Sequence, residues 1–358
     1  MKRCISFLIF IFVLAAYAQE VIENPETPQV ENAGRVLALE EEFRIDGQGE
    51  GYYYNGAIKL LLDESGNIYI CDSWTSQQRS HLLKFTPDGK FLQDLYRQGE
   101  GPGEIQSAFD FALSGSEAFL YDWIKRKVIV MDQDGKLRGE FKTELVSLND
   151  FIEVFKEWLV FSQREHPTER KTSKLYDVKN VIVFVSKDGD SEKDFCTLLN
   201  QQFYVSQAQG GGGMNWDPFI VTSGNDSLFV CRSSEYLIEV LDLDTGEITA
   251  RFKREYPRVR HEQQEWEKEF ASKYNAPKKK YENDIKDLFY DRGRVWVQTS
   301  TEDEDKGFLF DVFDTEGHFL DSFYINIEGR ILKIDGDFLF AAEHDEEELP
   351  LVVKYRII

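Results

Sequence analysis

Gly66-Asn67-Ile68-Tyr69-Ile70-Cys71-Asp72, followed after a polar gap by Leu82-Leu83-Lys84-Phe85-Thr86-Pro87-Asp88-Gly89-Lys90-Phe91-Leu92, is the stretch that decides the fold. It holds two short β-prone runs and an Asp-Gly turn, and the phrase recurs about six times along the chain. Such self-similarity means one supersecondary unit copied around an axis or along a solenoid.

Working outward, six runs read as second strands: Ile68–Cys71, Phe119–Asp122, Trp158–Phe161, Leu228–Cys231, Val295–Gln298 and Phe338–Ala341. Each precedes a third-strand run: Leu82–Phe85, Val128–Met131, Val181–Val185, Ile238–Leu241, Phe308–Phe313 and Leu351–Tyr355. They are β-branched and aromatic, and too short for helices. Five of the six third strands meet a turn ending in Gly, as at Asp88-Gly89 and Glu316-Gly317, where glycine supplies the positive φ a hairpin needs. Six four-stranded antiparallel units predict an all-β, six-bladed β-propeller over residues 35–358. The sixth unit ends at Ile358 without a fourth strand, and the spare runs Val36–Leu39 and Phe43–Ile45 are expected to supply it. An unpaired edge would otherwise expose backbone donors and acceptors.

The N-terminus reads as a separate object. Lys2 and Arg3, the apolar run Ile5–Ala16 and Ala16-Tyr17-Ala18 form a signal peptide over residues 1–18, which predicts a periplasmic or secreted protein. Residues 19–34, with two prolines, read as a flexible lead-in. Loss of Lys2 and Arg3 takes the 42 basic residues to 40 against 65 acidic ones, a net charge of −25. That surface repels nucleic acid and anionic lipid, so neither partner nor membrane insertion after cleavage is expected. An apolar content of 42% supports a sizeable core. The mature cysteines Cys71, Cys196 and Cys231 are too few and odd in number for a disulfide framework, and the first and last read as buried hydrophobes.

The phrase Gly66–Asp72 with Leu82–Phe91 resembles NHL-type repeats, and Asp122 with Lys127 matches their Asp-to-basic spacing. The link Gly99-Glu100-Gly101-Pro102-Gly103-Glu104 is similar to one common in exported bacterial six-bladed propellers. The resemblance implies the fold, while its relatives range from binding scaffolds to hydrolases and lyases.

Blade connectivity puts the short turns on one face and the longer connections on the other. Every long insertion falls on the second: 163–180, 196–217, 253–284, and acidic loops near 302 and 345. Long connections the fold does not require point to function. A helix is predicted near 259–275, where Trp266, Phe270 and Tyr274 form a stripe expected to cap the blades.

Candidate ligand residues on that face are Asp72, Trp74, Asp122, Trp123, Arg164, Trp216 and Arg232. Asp and Arg beside Trp suit sugars and flat ligands. The preferred reading of Asp72 and Asp122 is loop bracing, Asp122 pairing with Lys127. No cofactor is expected. Ca²⁺ is the one considered, on the nine carboxylates at 302–305 and 343–348, which read as a solvated acidic rim. His81, His166 and His344 could hold zinc but lack paired spacing. No P-loop, nucleophile elbow or zinc-protease helix is present. The expectation is a monomeric binding or scaffold module for a glycan, peptide or protein partner; the alternative is a metal-assisted hydrolase or lyase of the six-bladed type.

Overall fold

The computed structural model describes residues 20–72, 80–106, 109–144 and 148–358. The leader 1–18 lies outside them. Six sheets follow one another along the chain, their strands in sequence order from the inside out except where an N-terminal strand is added at the outer edge of the last three. Blade 1 is Ala57–Leu62, Ile68–Asp72, Leu82–Phe85 and Phe91–Asp94; blade 2 is Phe109–Ser114, Glu117–Asp122, Lys127–Asp132 and Leu137–Lys142. Blade 3 runs Leu148–Phe155, Trp158–Glu165, Lys174–Ser186, Glu192–Tyr204 and a short fifth strand, Gly213–Asn215. Blade 4 is Phe219–Gly224, Ser227–Arg232, Ile238–Asp242 and Ile248–Arg254; blade 5 is Ile285–Asp291, Arg294–Asp303, Gly307–Asp314 and Phe319–Ile325. Blade 6 has Arg330–Asp335, Phe338–His344 and Pro350–Ile357 from the C-terminus, and takes its fourth strand, Leu39–Asp46, from the N-terminus.

That fourth strand is the expected closure for Phe43–Ile45, whereas Val36 and Leu37, expected there too, pair with Tyr324 and Ile325 of blade 5 instead. The closing strand pairs antiparallel with Pro350–Ile357, Ile45 opposite Val352 and Leu39 opposite Ile357. The lead-in differs from its sequence reading, because part of it is ordered as strand. Val21–Asn24 lies parallel on the outer edge of blade 4 and Arg35–Leu37 parallel on the outer edge of blade 5. Asn24 ties the two blades, donating to the Lys253 and Gly317 carbonyls and accepting from the Phe319 amide. Arg35 grips Asp321 through two 2.8 Å bonds. The N-terminal segment therefore straps three consecutive blades. Its pairing uses backbone groups, which leave no hydrophobic pattern to read.

The core is distributed in wedges between neighbouring blades. Tyr69 and Cys71 of blade 1 meet Phe111 and Leu120 of blade 2. Ile45, Phe340 and Val352 of blade 6 meet Leu60, Ile70 and Phe85 of blade 1. Cys231 sits in the wedge between blades 4 and 5, remote from Cys71, and both are free and buried. One junction holds a buried ion pair: Arg254 Nε donates to Asp311 Oδ2 at 2.7 Å, with side chains 3% and 0% exposed. Tyr236 and Ser322 also donate to Asp311, and Arg254 lies over the Tyr236 and Tyr256 rings.

The short-turn face packs as the repeats require. Gly89 has φ +79°, and a Cβ there would meet the Phe43 ring of the closing strand at 2.7 Å. On the other face the insertions at 163–180 and 196–217 are largely strand rather than loop. The third and fourth strands of blade 3 have 13 residues each, paired from Lys174 opposite Tyr204. They project as an arm beyond the end of Glu165. The insertion at 253–284 closes on a neck, Glu282 N–H to Val259 O and His261 N–H to Lys280 O, and carries the helix Glu265–Tyr274. No described helix is long and apolar enough to cross a membrane.

Candidate binding site

The innermost strands line a channel of about 700 Å³ along the ring axis. Four of them depart from regular pairing, between Ala57 and Lys59, around Phe151, between Ile285 and Asp287, and between Ile331 and Lys333. Irregular pairing leaves inner carbonyls without a ladder partner. Charged side chains from other blades answer several of them. Arg330 of blade 6 donates to the Ile58 carbonyl of blade 1 at 2.7 Å. Lys59 of blade 1 reaches the Phe151 carbonyl of blade 3 at 2.6 Å and Asp110 of blade 2 at 3.0 Å. Asp110 in turn accepts the Phe151 N–H at 2.7 Å. These charges lie inside the channel, yet they stitch the ring. Two acids on the inner strands are less fully served: burial pushes the Asp287 carboxyl, in the channel wall, up to about 6, and Glu153, beside Ser223, up to about 7.

The sequence candidates go to different places. Asp72 accepts the Asn55 and Gly56 amides at 3.0 and 3.1 Å, and Asp122 accepts those of Gln106, Ile124 and Lys125 at 2.9–3.0 Å. Both are buried and brace blade links. Lys127 departs from its expected partner, pairing instead with Glu140 at 3.1 Å and the Gly101 carbonyl. The glycine-rich link is likewise structural, since Glu104 accepts the Gly101 N–H and a Cβ on Gly99 would strike that carboxylate. Trp74 lies outside the described residues. Trp123 lines the channel. Arg232 pairs with Glu235 beside a shallow depression at Leu198 and Leu199.

Arg164 belongs to the arm. Its Nε donates to Asn180, which donates to Asn200, which donates to the Asp217 carbonyl, a ladder across the base of the arm. Above it His166 hydrogen-bonds the Tyr204 hydroxyl, and burial with the nearby Arg164 and Arg170 holds the imidazole below its usual range.

Trp216 stands where the arm and the helical insertion meet. Phe270 packs edge-on against Phe203 of the arm, with ring centres 5.8 Å apart, while Trp266 of the same stripe is 53% exposed. The two insertions enclose a cleft of about 200 Å³, with Met214 and Trp216 from the arm's return and His261, Phe270 and Lys279 from the insertion. His261 fixes the helix against its neck, one ring nitrogen 2.9 Å from Glu267 and the other 2.6 Å from Glu282. Composition gave no sign of this pairing, because Glu282 lies 21 residues beyond His261 and each of the three is ordinary singly.

The histidines considered for zinc are engaged separately, His81 with Asp94 at 2.6 Å in blade 1 and His166 within blade 3. Among the described residues the group close enough to share an ion is Asp314, Glu316 and His318, on a tight turn of the trimmed face. The acidic tips are hairpin turns, with Asp303 accepting the Asp305 and Lys306 amides and Asp345 those of Glu347 and Leu349.

A family model described as "6-bladed beta-propeller", DUF5128, matches residues 54–287. The chain belongs to that family. Among solved structures it is similar to a protein of Bacteroides fragilis NCTC 9343, provisionally named as exported, at 13% identity and a TM-score of 0.56. That match covers 95% of this chain and 100% of the other. A DUF4221 family member from Bacteroides vulgatus ATCC 8482 is similar at 9% identity and a TM-score of 0.54, covering 90% and 99%. At these identities the likeness shows the fold alone. No curated protein matches the sequence.

Phe270 was legible as part of an aromatic stripe, but not as a wall of a cleft. Lys279 sits in a lysine run whose sequence reading is plain solvation, yet it is half-buried.

Proposed function

We propose that the protein is an exported, monomeric binding module that takes a glycan, peptide or protein partner on its decorated face and needs no cofactor. One observation carries the reading: insertions from two different parts of the ring converge on a single cleft with Trp216 in its wall. Ring closure requires neither insertion, since the minimal blades 1 and 2 close with four short strands each. A concave site with an aromatic platform and a few polar groups is how small ligands and chain ends are held. The leader sequence supports export, as does the provisional name of the Bacteroides fragilis protein.

The test uses the mature chain on an array of immobilised oligosaccharides and peptides, beside Trp216→Ala. The reading expects a defined subset to be bound and at least a tenfold loss in the variant, with an unchanged melting temperature. Equal binding by the variant, or none by the wild type, overturns it.

A further inference from the structure

The arm of blade 3 sorts its charges by face. Its strands alternate, so Arg164, opposite Asn180, and Glu165, opposite Lys179, lie on different sides. On one side Glu165 pairs with Lys179 at 3.6 Å, and Asp177 accepts from Gln201 at 3.1 Å. Phe203 shares that side, which faces the helical insertion. The other side carries Arg164, His166, Lys174, Tyr176 and Tyr204. Residues 166–173 fold over it and set the Arg170 guanidinium 5.0 Å from the centre of the Tyr204 ring. Lys174 stands at 5.0 Å from the Tyr176 ring. This segment is pinned, because the Tyr176 hydroxyl donates to the Thr172 carbonyl at 2.9 Å and the Ser206 N–H to the Ser173 hydroxyl at 2.9 Å.

Arg164, Arg170 and Lys174 make no ion pair among the described residues. Arg164 spends one nitrogen on Asn180 at 3.4 Å, and the buried Nε of Arg170 has no acceptor. The nearest acids are engaged. Glu169 pairs with Lys171 at 2.7 Å, and Asp150, at the foot of the arm, accepts from the Ser162 hydroxyl at 2.8 Å. Asp150 faces Lys59 as well as Arg164. Higher up, burial and the two guanidiniums hold the His166 imidazole below its usual range, and no described carboxylate offsets them there. Like charges held on one face repel, and a bound anion relieves them.

The length of the row and its surface choose the anion. From Lys174 to the level of Asn180 it extends roughly 20 Å, the reach of several linked groups rather than of one carboxylate. A guanidinium fork matches a planar carboxylate, and half-buried Tyr176 adds aromatic surface between the cations. With 65 acidic residues to 42 basic, the rest of the molecule would repel an acidic protein, whereas a short oligosaccharide meets the arm alone.

We propose that this face of the arm is a second binding surface, which takes an acidic oligosaccharide with its carboxylates on Arg164, Arg170 and Lys174 and a sugar ring at Tyr176. It lies on the opposite side of the arm from the Trp216 cleft and goes beyond the reading built on that cleft.

Calorimetry on the mature protein at low salt with tetragalacturonate, its full methyl ester and tetraglutamate tests it. The acid is expected to bind at least tenfold more tightly than the ester, and more tightly than the peptide. Arg164→Gln with Arg170→Gln should erase the preference for acid over ester, while Lys179→Gln, on the far side, should keep it. If the double variant does not fold, Lys174→Gln, an exposed change, should still weaken acid binding at least threefold. Equal affinity for acid and ester, a preference untouched by these substitutions, a peptide bound as tightly as the sugar acid, or no binding at millimolar concentration overturns the proposal. Array binding lost in Trp216→Ala would still stand in that event, so the two surfaces fail separately.

Discussion

Asp122 and Lys279 both sit on the decorated face, yet their surroundings differ in kind. Asp122 is fully buried and spends both oxygens on three backbone amides. Lys279 is half-buried and answers no backbone group, with the charges of Glu282, Glu267 and Asp217 around it. The first belongs to the repeated unit and the second to an insertion. In this molecule the polar residues built into the repeat answer the backbone of the blade or of its neighbour, as do Asp72, Lys59 and Arg330. The insertions depart from the repeat and carry no such duty toward the ring, which is why the proposed binding site is sought there. A polar residue embedded in a repeat motif is therefore poor evidence of a site.

The contrast breaks most decisively at the buried pair of blades 4 and 5. Asp311→Ala leaves Arg254 charged and enclosed, with Tyr236 and Ser322 losing their acceptor. Removing one partner of such a pair costs about 3–5 kcal/mol. Urea unfolding should show it, with the ligand affinity of the residual folded protein unchanged. A loss under 1 kcal/mol would mean that the junction readmits water.

Next comes Asp122→Ala, which strands the Gln106 amide of the link between blades 1 and 2 and the Ile124 and Lys125 amides of the turn that follows Asp122. Each unsatisfied buried group costs roughly 1–3 kcal/mol, softened where water reaches the link, so a net loss of about 2–3 kcal/mol is expected. Ligand binding should not change. If binding is lost while stability holds, Asp122 is a ligand residue and the distinction between repeat and insertion fails.

The ring, its blade count and its seal were legible because the repeat writes the same β-prone runs and Gly turns again and again, and because the last unit lacks a strand. The third strand of blade 1 spans Leu82–Phe85, the same bounds as the sequence run. Less legible were features written in backbone bonding. The parallel strand Val21–Asn24 carries only two apolar residues, and the arm of blade 3 reads as loop because polar residues such as Lys174, Asp177 and Lys179 interrupt it. The cleft was legible only in halves. Trp216 and the helix each stood out, but nothing local says that segments about 50 residues apart share a wall.

Glu153 tests the comparison from the other side, as a repeat-borne residue left partly unanswered. It lies on the first strand of blade 3, where one carboxylate oxygen has no partner among the described residues. Burial raises the folded-state pKa to about 7 from 4.5. Between those values the folded chain holds a proton that the unfolded chain has released, so stability falls as pH rises through this window. The penalty is complete above pH 7 and absent below about pH 4.5. With its intermediate burial discounting the full shift, it amounts to roughly 2 kcal/mol. Glu153→Gln keeps the shape and removes the charge. Urea midpoints at pH 5 and pH 8 should therefore differ less in the variant than in the wild type, with the gain confined to pH 8. Asp287, raised to about 6, adds its own slope at lower pH and is unaffected by the substitution. If the variant is destabilised equally at both pH values, the carboxylate is satisfied by Ser223 of blade 4, and Glu153 joins Asp110 as one more stitch between blades.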